Sequence, residues 1–251
     1  MAKKQKGRFF SGTSGLVLPV PNKLSYPPAF QDKSRLEYYA HLFNSIEVNS
    51  SFYKVPQART VKKWADMVPA NFRFTYKLWR DITHAKGLAF KDEDVARFMS
   101  AIDPAGEKKG SLLIQFPPSV TLEKFGVVEH LLGLLGEGHG WDVALEFRHN
   151  SWYAAETYEL ADEYDCSIVL HDIPKSRNNT IKKKTPFMYL RFHGPTGNYR
   201  DSYTDEHLQE KALLVKQWLN TGKPAYVYFN NTMGDAVKNL CTLNSFINKT
   251  R

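Results

Sequence analysis

Acidic, basic and histidine side chains recur near the ends of short runs that have the composition of β-strands. Glu47, Lys77, Glu146, Arg191 and His193 each come late in such a run. Carboxylates can exchange protons with a substrate, cations can hold phosphate or carboxylate groups, and histidine can transfer a proton near neutral pH. These residues predict one polar site if the fold brings the strand ends together.

The elements that would carry these residues alternate along the chain. Eight short β-branched or aromatic runs are bounded by turn signals, and helical patterns fill most of the gaps between them. The predicted strands are 8–11, 45–51, 72–77, 111–116, 142–148, 167–172, 187–193 and 225–230, and the predicted helices are 34–44, 60–67, 92–101, 122–135, 154–164, 205–220 and 234–248. Strand, helix, strand in this order implies parallel pairing with right-handed crossovers.

The length and the alternation together predict an α/β fold consisting of a single (β/α)8 TIM-like barrel. The chain has 251 residues, which is typical of that fold. We expect one barrel domain over residues 1–251, with residues 1–7 as a basic tail. Pro174, a basic run and Pro186 occupy the interval between the sixth and seventh strands, so an irregular loop should replace most of the helix there.

Side-chain alternation within the strands separates an apolar face from a polar face. In the fifth strand Glu146 and Arg148 share a face opposite Val143, Leu145 and Phe147. The apolar face should meet the helices, so the polar face should point toward the barrel axis. The same reasoning predicts that further side chains, late in the other strands, point inward. They are Glu47, Asn49, Lys77, Gln115, Arg191, His193, Tyr228 and Asn230.

We assign these inward residues two kinds of role. Glu47, Glu146 and His193 are the predicted catalytic residues for acid and base chemistry. Asn49, Lys77, Gln115, Arg148, Arg191, Tyr228 and Asn230 are predicted to bind substrate. The alternative is a buried ionic network in which Glu47, Lys77, Glu146, Arg148 and Arg191 only neutralise one another.

Seven ordered motifs resemble the domain-of-unknown-function 72 family, also called YecE-like proteins. They are Gly12–Gly15, Phe43–Tyr53, Phe74–Lys77 with Arg80, Thr83 and His84, Gln115–Pro118, Glu146–His149 with Ser151 and Trp152, Arg191–Gly194, and Tyr228–Asn231. The chain departs from the family's usual pattern at Leu16 to Pro21, where relatives carry a tryptophan-containing loop. The resemblance implies a (β/α)8 barrel and no established activity. Thr13, in the first motif, joins the predicted substrate-binding residues.

The predicted site suits an enzyme that acts on a small anionic substrate. Arginine favours bidentate contacts with phosphate or carboxylate, and lysine acts as a point charge. The reaction class and any cofactor stay open. Glu47, Glu146, His171, Asp172 and His193 include metal-ligand types, but their spacing is not diagnostic, and His171 and Asp172 should point to opposite faces of a regular strand.

The charge of the chain leaves nucleic-acid binding or phosphodiester processing, with or without a metal, as an alternative function. The formal net charge is +8, and basic residues crowd two runs that could also be solvated tails or loops: Lys3, Lys4, Lys6 and Arg8, and Lys175, Arg177, Lys182, Lys183 and Lys184. No apolar run is long enough to predict a membrane span. Cys166 and Cys241 have no disulfide or metal spacing, so we expect a cytoplasmic protein.

Overall fold

Nine strands and nine α-helices alternate in a computed structural model that describes residues 5–136 and 138–249. The strands are β1 (Phe9–Thr13), β2 (Ser45–Val48), β3 (Arg73–Lys77), β4 (Lys109–Gln115), β5 (Asp142–Glu146), β6 (Ser167–Ile168), β7 (Leu170–His171), β8 (Met188–Phe192) and β9 (Ala225–Phe229). The helices are α1 (Arg35–Leu42), α2 (Ser50–Tyr53), α3 (Ala58–Met67), α4 (Arg80–Thr83), α5 (Asp92–Ile102), α6 (Phe125–Leu135), α7 (Ala155–Glu163), α8 (Asp205–Leu219) and α9 (Ala236–Asn248). Lys3 and Lys4 of the predicted tail lie outside the described residues.

The strands form two sheets in which every strand pair is parallel. One sheet has the order β2-β3-β4-β5-β6, and the other has the order β1-β9-β8-β7. Val169 alone separates β6 from β7, so the predicted sixth strand is split in two. At the other edge Ser14 pairs in parallel with Glu47. Ser14, which follows β1, therefore links an edge strand of one sheet to an edge strand of the other, and within each sheet the carboxyl ends of the strands lie along one side.

The apolar side chains form two separate clusters on the two faces of the strands. The larger cluster contains Val143, Leu145, Phe192 and the buried faces of the helices. The smaller cluster draws alternate residues from both sheets: Phe10, Leu113, Ala144, Val169, Phe187, Tyr189, Tyr226 and Tyr228. This division follows the predicted alternation, because neighbouring strand residues point to opposite faces.

Local sequence signals explain where several helices begin. The Ser34 side chain accepts from the backbone N–H of Glu37, and the Glu37 side chain accepts from the backbone N–H of Ser34, which is a capping box at the start of α1. Three acidic residues, Asp92 to Asp94, fill the first turn of α5, where they complement the helix dipole. Thr204 caps α8 through the N–H of His207.

The predicted end of the second strand is wrong because the backbone becomes helical inside the predicted strand. The second strand ends at Val48 rather than at residue 51, since Asn49 has helical dihedral angles and α2 follows at once. The Ser51 hydroxyl lies 2.7 Å from the carbonyl oxygens of Val48 and Lys77, which ties this turn to β3. Between β7 and β8 the chain has one short 3-10 turn, Pro174–Ser176, and no α-helix, as the sequence predicts.

Candidate active site at the carboxyl ends of the strands

The carboxyl ends of three strands, β2, β5 and β8, bring two carboxylates and two guanidinium groups into contact. Arg191, on β8, donates from Nε to Glu47 Oε2 at 2.9 Å and from Nη2 to Glu47 Oε1 at 2.6 Å. Its third nitrogen, Nη1, donates to Glu146 Oε2 at 2.6 Å. Glu47 and Glu146 are fully buried, and Arg191 is 1% exposed. One guanidinium thus joins β2 to β5 inside the molecule.

Further donors complete the hydrogen bonding of Glu47. The Ser14 hydroxyl donates to Oε1 at 2.5 Å, and the Tyr189 hydroxyl donates to Oε2 at 2.7 Å. Burial alone would raise the pKa of the Glu47 carboxyl, but Arg191 and the two hydroxyls lower it below its usual range. Glu47 is therefore an ionised and fully partnered carboxylate.

Arg148 extends the cluster toward solvent. Its Nε donates to Glu146 Oε1, and its Nη2 forms an ion pair with the same oxygen. Burial would raise the pKa of Glu146, but Arg148 and Arg191 hold it well below its usual range. The opposite charges also raise the pKa of Arg191 despite its burial, with Glu146 contributing most among its partners. The Arg148 side chain is 10% exposed, so it reaches the surface of the cluster.

His193 lies between the two guanidinium groups and is neutral. Its Nε2 lies 3.1 Å from Arg148 Nη2 and 3.2 Å from Arg191 Nη1. Because a guanidinium can only donate, Nε2 must be the accepting nitrogen, and Nδ1 carries the hydrogen toward Asp172 Oδ1 at 3.3 Å. Burial lowers the pKa of His193 to about 4, although the Asp172 hydrogen bond acts in the other direction.

Asp172 and Tyr203 form a chain of hydrogen bonds on the Nδ1 side of the His193 ring. Asp172 Oδ1 also accepts from the His193 backbone N–H at 2.9 Å, and its other oxygen accepts from the Tyr203 hydroxyl. The Tyr203 oxygen in turn accepts from the N–H of Gly194 at 2.6 Å. Gly194 has φ +94°, and a Cβ there would lie 2.3 Å from the Arg200 carbonyl oxygen, so this turn requires glycine.

A cleft of about 480 Å³ opens above this buried cluster. Its cationic lining residues are Lys77, Arg80, Arg148 and Lys175. Phe52, Pro117, Pro118 and Tyr199 supply apolar walls, and His84, Gln115, Ile173 and Ser176 complete the lining. No carboxylate belongs to this set of described residues. Arg148 is paired with the buried Glu146, but the positive charge of Lys77, Arg80 and Lys175 is not balanced by any lining residue, which favours an anionic ligand.

Lys77 is the deepest strand-borne cation of the cleft. Its Nζ donates to Gln115 Oε1 at 2.8 Å and lies 4.0 Å from the centre of the Phe52 ring. The Gln115 amide is fixed in turn because its Nε2 donates to the Phe116 carbonyl oxygen at 2.9 Å. Burial, followed by the nearby charge of Arg191, lowers the pKa of Lys77 to about 8.

A family model for a protein of unknown function, DUF72, matches residues 10–251 of the chain. The chain belongs to the DUF72 family. Among its curated relatives, UPF0759 protein YunF of Bacillus subtilis (strain 168) is 27% identical over 85% of this chain and 86% of its own length. UPF0759 protein YecE of Escherichia coli (strain K12) is 29% identical over 47% of this chain and 43% of its own.

Solved DUF72 structures have the same fold as this DUF72 chain. A family member from Enterococcus faecalis V583 superposes with a TM-score of 0.79 at 22% identity, over 97% of this chain and 96% of the other. A member from Thermotoga maritima MSB8 superposes with a TM-score of 0.73 at 26% identity, over 96% of this chain and 100% of the other. Both comparisons support the α/β architecture, and neither carries a stated substrate.

Five predicted binding residues of this DUF72 chain lie outside the cleft lining, and one of them, Arg191, belongs to the buried cluster. Thr13 is fully buried, and its Oγ1 donates to the Gly15 carbonyl oxygen at 2.7 Å. Asn49 lines a separate apolar cavity beside Leu36 and Trp64. The Tyr228 hydroxyl lies deeper, 2.5 Å from Ser45 Oγ and 2.7 Å from Thr75 Oγ1. Asn230 is half-buried just beyond β9.

The DUF72 site also contains residues to which sequence reasoning gave no role in binding or support. Arg80 and His84 appear in the sequence only as parts of a family motif, and Lys175 only as part of a basic run. Tyr203 has no distinguishing sequence signal, because it lies in a loop before α8. Among the described residues, no group of three or more His, Cys, Asp or Glu side chains has a metal-binding arrangement.

Proposed function

We propose that the protein is an enzyme that binds a small phosphate- or carboxylate-bearing substrate in the cationic cleft. The observation that carries the proposal is the lining itself, with four cations and no carboxylate among its described residues. The cleft lies at the carboxyl ends of parallel strands, where α/β enzymes place their active sites. An anion there would gain charge-assisted hydrogen bonds without displacing an existing ion pair.

Arg148 is the residue best placed to hold the anion. Its Nε donates to Glu146 and its Nη2 contacts Glu146 and donates to His193, whereas Nη1 makes no protein hydrogen bond among the described residues. The Glu146 carboxylate fixes the plane of the guanidinium, which reduces the conformational entropy lost on binding. Lys77 and Lys175 add positive charge on the same cleft.

The hydrogen bonds favour a positioning role for the buried carboxylates. Glu47 and Glu146 are ionised and already accept from guanidinium groups, so neither has a proton to donate. His193 Nε2 faces two N–H donors, which also occupies the lone pair that a general base would use. The acid and base roles of Glu47, Glu146 and His193 stay a prediction. The ion pairs support the ionic-network alternative for Glu47 and Glu146.

Titration with inorganic phosphate tests the proposed anion site. We expect saturable binding that weakens by roughly tenfold in Arg148→Gln, about 1.4 kcal/mol, because a charge-assisted contact is lost. Lys184→Gln is the matched control, since it removes one cation outside the cleft lining. Isothermal titration calorimetry measures both affinities, and unfolding curves establish that each variant is folded.

Equal losses in the two variants would contradict the proposal. Such a result would mean that net charge, and not the cleft, attracts the anion. Phosphate affinity that is unchanged in Arg148→Gln would also contradict the proposal, because Arg148 would then not contact the anion. A loss confined to Arg148→Gln supports the site.

Nucleic-acid binding is a second candidate function, and a different surface favours it. Lys223 Nζ donates to the carbonyl oxygen of Thr185 at 2.6 Å and of Lys183 at 3.2 Å, just before β8 and β9 begin. The basic run 182–184 therefore lies at the amino ends of the strands, opposite the cleft. Other basic residues precede or begin strands at this end: Lys6, Arg8, Arg73 and Lys108.

Binding of a fluorescent DNA duplex over a range of salt concentrations tests this second function. Phosphate contacts predict an affinity that falls steeply with salt, and a smaller slope when Lys182, Lys183 and Lys184 are all changed to glutamine. Arg148→Gln is the control variant and should leave the slope unchanged. An absence of DNA binding at low salt would contradict a nucleic-acid-binding function.

We also propose that the two sheets close into one (β/α)8 barrel domain. The Gly15 N–H donates to the Glu47 carbonyl oxygen at 2.7 Å, which continues the hydrogen bonding from β1 to β2. The Val169 N–H donates to the Leu145 carbonyl oxygen at 2.8 Å, which continues it through the junction of β6 and β7. Amide hydrogen exchange at Gly15 and Val169 should be as slow as in the adjoining strands, and fast exchange would indicate open seams.

No helix in residues 5–136 and 138–249 combines the length and apolar character that crossing a membrane requires.

A further inference from the structure

We propose that the Lys77 amine forms an imine with a carbonyl group of the anion bound in the cleft. The substrate class is then a small anionic aldehyde or ketone, such as an oxo acid or a phosphorylated carbonyl compound. This inference rests on the proposed function, because the cleft must first hold the anion. It gives the cleft a reaction as well as a ligand.

The surroundings of Lys77 differ from those of a lysine that serves as an ion-pair partner. Among the described residues no carboxylate oxygen lies within 4.0 Å of its Nζ, and the recorded hydrogen bond goes to the neutral Gln115 amide. The Phe52 ring covers another side of the nitrogen. Two of the three hydrogens of the ammonium therefore remain without a recorded protein acceptor, and the residue lines the cleft.

Burial and neighbouring positive charge increase the fraction of Lys77 that is unprotonated at neutral pH. Burial and Arg191 lower the pKa of Lys77 to about 8, Glu146 and Glu47 oppose this shift, and Arg148 adds a smaller contribution in the same direction as Arg191. Desolvation beside other cations is a recognised way to activate a lysine nucleophile. At neutral pH the free-amine fraction is then roughly a hundredfold larger than for a lysine with the ordinary pKa.

The proposed step is balanced without any oxidant or reductant. The neutral amine of Lys77 attacks the carbonyl carbon, and the carbonyl oxygen takes up a proton, giving a carbinolamine. Loss of the second amine proton and of the hydroxyl as water forms the carbon–nitrogen double bond. The product is an imine and one water molecule, and protonation of the imine makes an electron-withdrawing iminium.

His84 is placed to accept a proton during this step. It lines the same cleft and packs edge-on against the Phe52 ring, with ring centres 4.9 Å apart. Its Nδ1 lies 2.8 Å from Thr83 Oγ1, which fixes the ring. Burial lowers the pKa of His84 to about 4, with Lys77 contributing next, so the imidazole is neutral and can accept a proton.

Reductive trapping with glyoxylate tests the proposal, because glyoxylate is a very small anionic aldehyde and fits a cleft of this size. Cyanoborohydride reduces an imine to a stable secondary amine, and peptide mass spectrometry identifies the modified lysine. We expect Lys77 to be modified about tenfold or more faster than the exposed Lys86. Acetaldehyde, which has no charge, should show a smaller preference for Lys77, since the cleft cations no longer recruit it.

Variants separate the amine from the charge. Lys77→Arg retains the positive charge and removes the nucleophilic amine, so the site-specific adduct should disappear. Lys86→Arg is the matched control and should leave trapping at Lys77 unchanged. Lys77→Met is a second variant if the arginine disturbs folding, and it too should abolish the adduct.

Two results would overturn the imine proposal, and they are distinguishable from failure of the anion site. Modification of Lys77 no faster than Lys86, with phosphate binding intact, rejects the imine and keeps the proposed function. Preferential modification of Lys77 that is equal for glyoxylate and acetaldehyde rejects an anionic carbonyl substrate. If phosphate binding also fails to depend on Arg148, both proposals fall together.

Discussion

The buried cluster and the cleft above it contain the same kinds of charged group but balance them differently. In the cluster, Arg191 and Arg148 are matched by Glu47 and Glu146, and every carboxylate oxygen has a donor. In the cleft, Lys77, Arg80 and Lys175 have no carboxylate among the lining residues. Charges that are already paired and desolvated cannot exchange partners cheaply. The comparison therefore assigns a structural role to the cluster and anion binding to the cleft.

Arg148 is the residue that connects the two regions. One edge of its guanidinium contacts Glu146, and the same side chain lines the cleft. Its orientation depends on Glu146, whose position depends on Arg191 and hence on Glu47. Changes in the cluster should consequently weaken both stability and anion binding, whereas changes in the cleft should alter binding with little loss of stability.

Glu47→Gln should have the largest effect on stability. It leaves the buried Arg191 with an uncompensated charge, which costs about 3 to 5 kcal/mol of unfolding free energy. Urea unfolding measures the loss. Glu210→Gln is the matched control, because Glu210 is exposed and pairs only with its neighbour Lys211 among the described residues. A variant that is as stable as the control would show that the cluster is not a structural unit.

Acid should weaken the cluster selectively. The pKa values of Glu47 and Glu146 are lower in the folded protein than in the unfolded chain, so their stabilising contribution is present above the ordinary carboxyl pKa. It should be lost as the pH falls below about 5. The difference in unfolding free energy between wild type and Glu47→Gln should shrink over that range. A constant difference would contradict the assigned ionisation.

Lys77→Met should stabilise the protein at neutral pH, opposite in sign to the cluster variant. The fold lowers the pKa of Lys77 from 10.5 to about 8, so the charged form is less favourable in the folded state than in the unfolded chain. Removing the charge should raise the unfolding free energy by about 1 to 2 kcal/mol.

The same variant provides a pH test of Lys77. Wild-type stability should rise relative to Lys77→Met between pH 8 and 10.5, because the unfolded chain binds the additional proton there. The exposed Lys86→Met is the control and should show neither effect. Destabilisation by Lys77→Met at pH 7 would mean that its ammonium belongs to the paired cluster.

Tyr203→Phe should have a smaller effect on stability than Glu47→Gln. It removes the hydroxyl that donates to Asp172 and accepts from the Gly194 N–H. The expected loss is about 1 to 2 kcal/mol of unfolding free energy, with a modest fall in phosphate affinity as His193 and Arg148 shift. Calorimetry on both properties checks the prediction. A loss as large as that of Glu47→Gln would place Tyr203 within the cluster itself.

Strand alternation predicts the cluster because its members lie within regular strands or directly beyond them. Glu146 and Arg191 face inward as the two-residue period requires, and Lys77 and Gln115 follow the same rule. Asn49 departs from it because the backbone becomes helical at that residue. The two-residue alternation of side chains therefore predicts direction only within a strand.

The cleft is less predictable because loops supply much of it. Arg80 follows β3 on a four-residue helix, and Lys175 lies on the irregular segment before β8. Neither residue lies in a repeating sequence pattern that would predict the direction of its side chain. Tyr203 reaches Asp172 across 31 residues of sequence. Such contacts depend on how loops pack over the strand ends, which no local signal encodes.

Crystals soaked in selenate provide the most direct test of an anion site in the cleft, because selenium scatters anomalously and locates the anion itself. We predict an anomalous peak in the cleft, with selenate oxygens within hydrogen-bonding distance of Arg148 and Lys77 and the buried cluster unchanged. Peaks confined to other places would contradict the account. One such place is the cavity of about 440 Å³ beside α8 that Arg177 and Lys211 line.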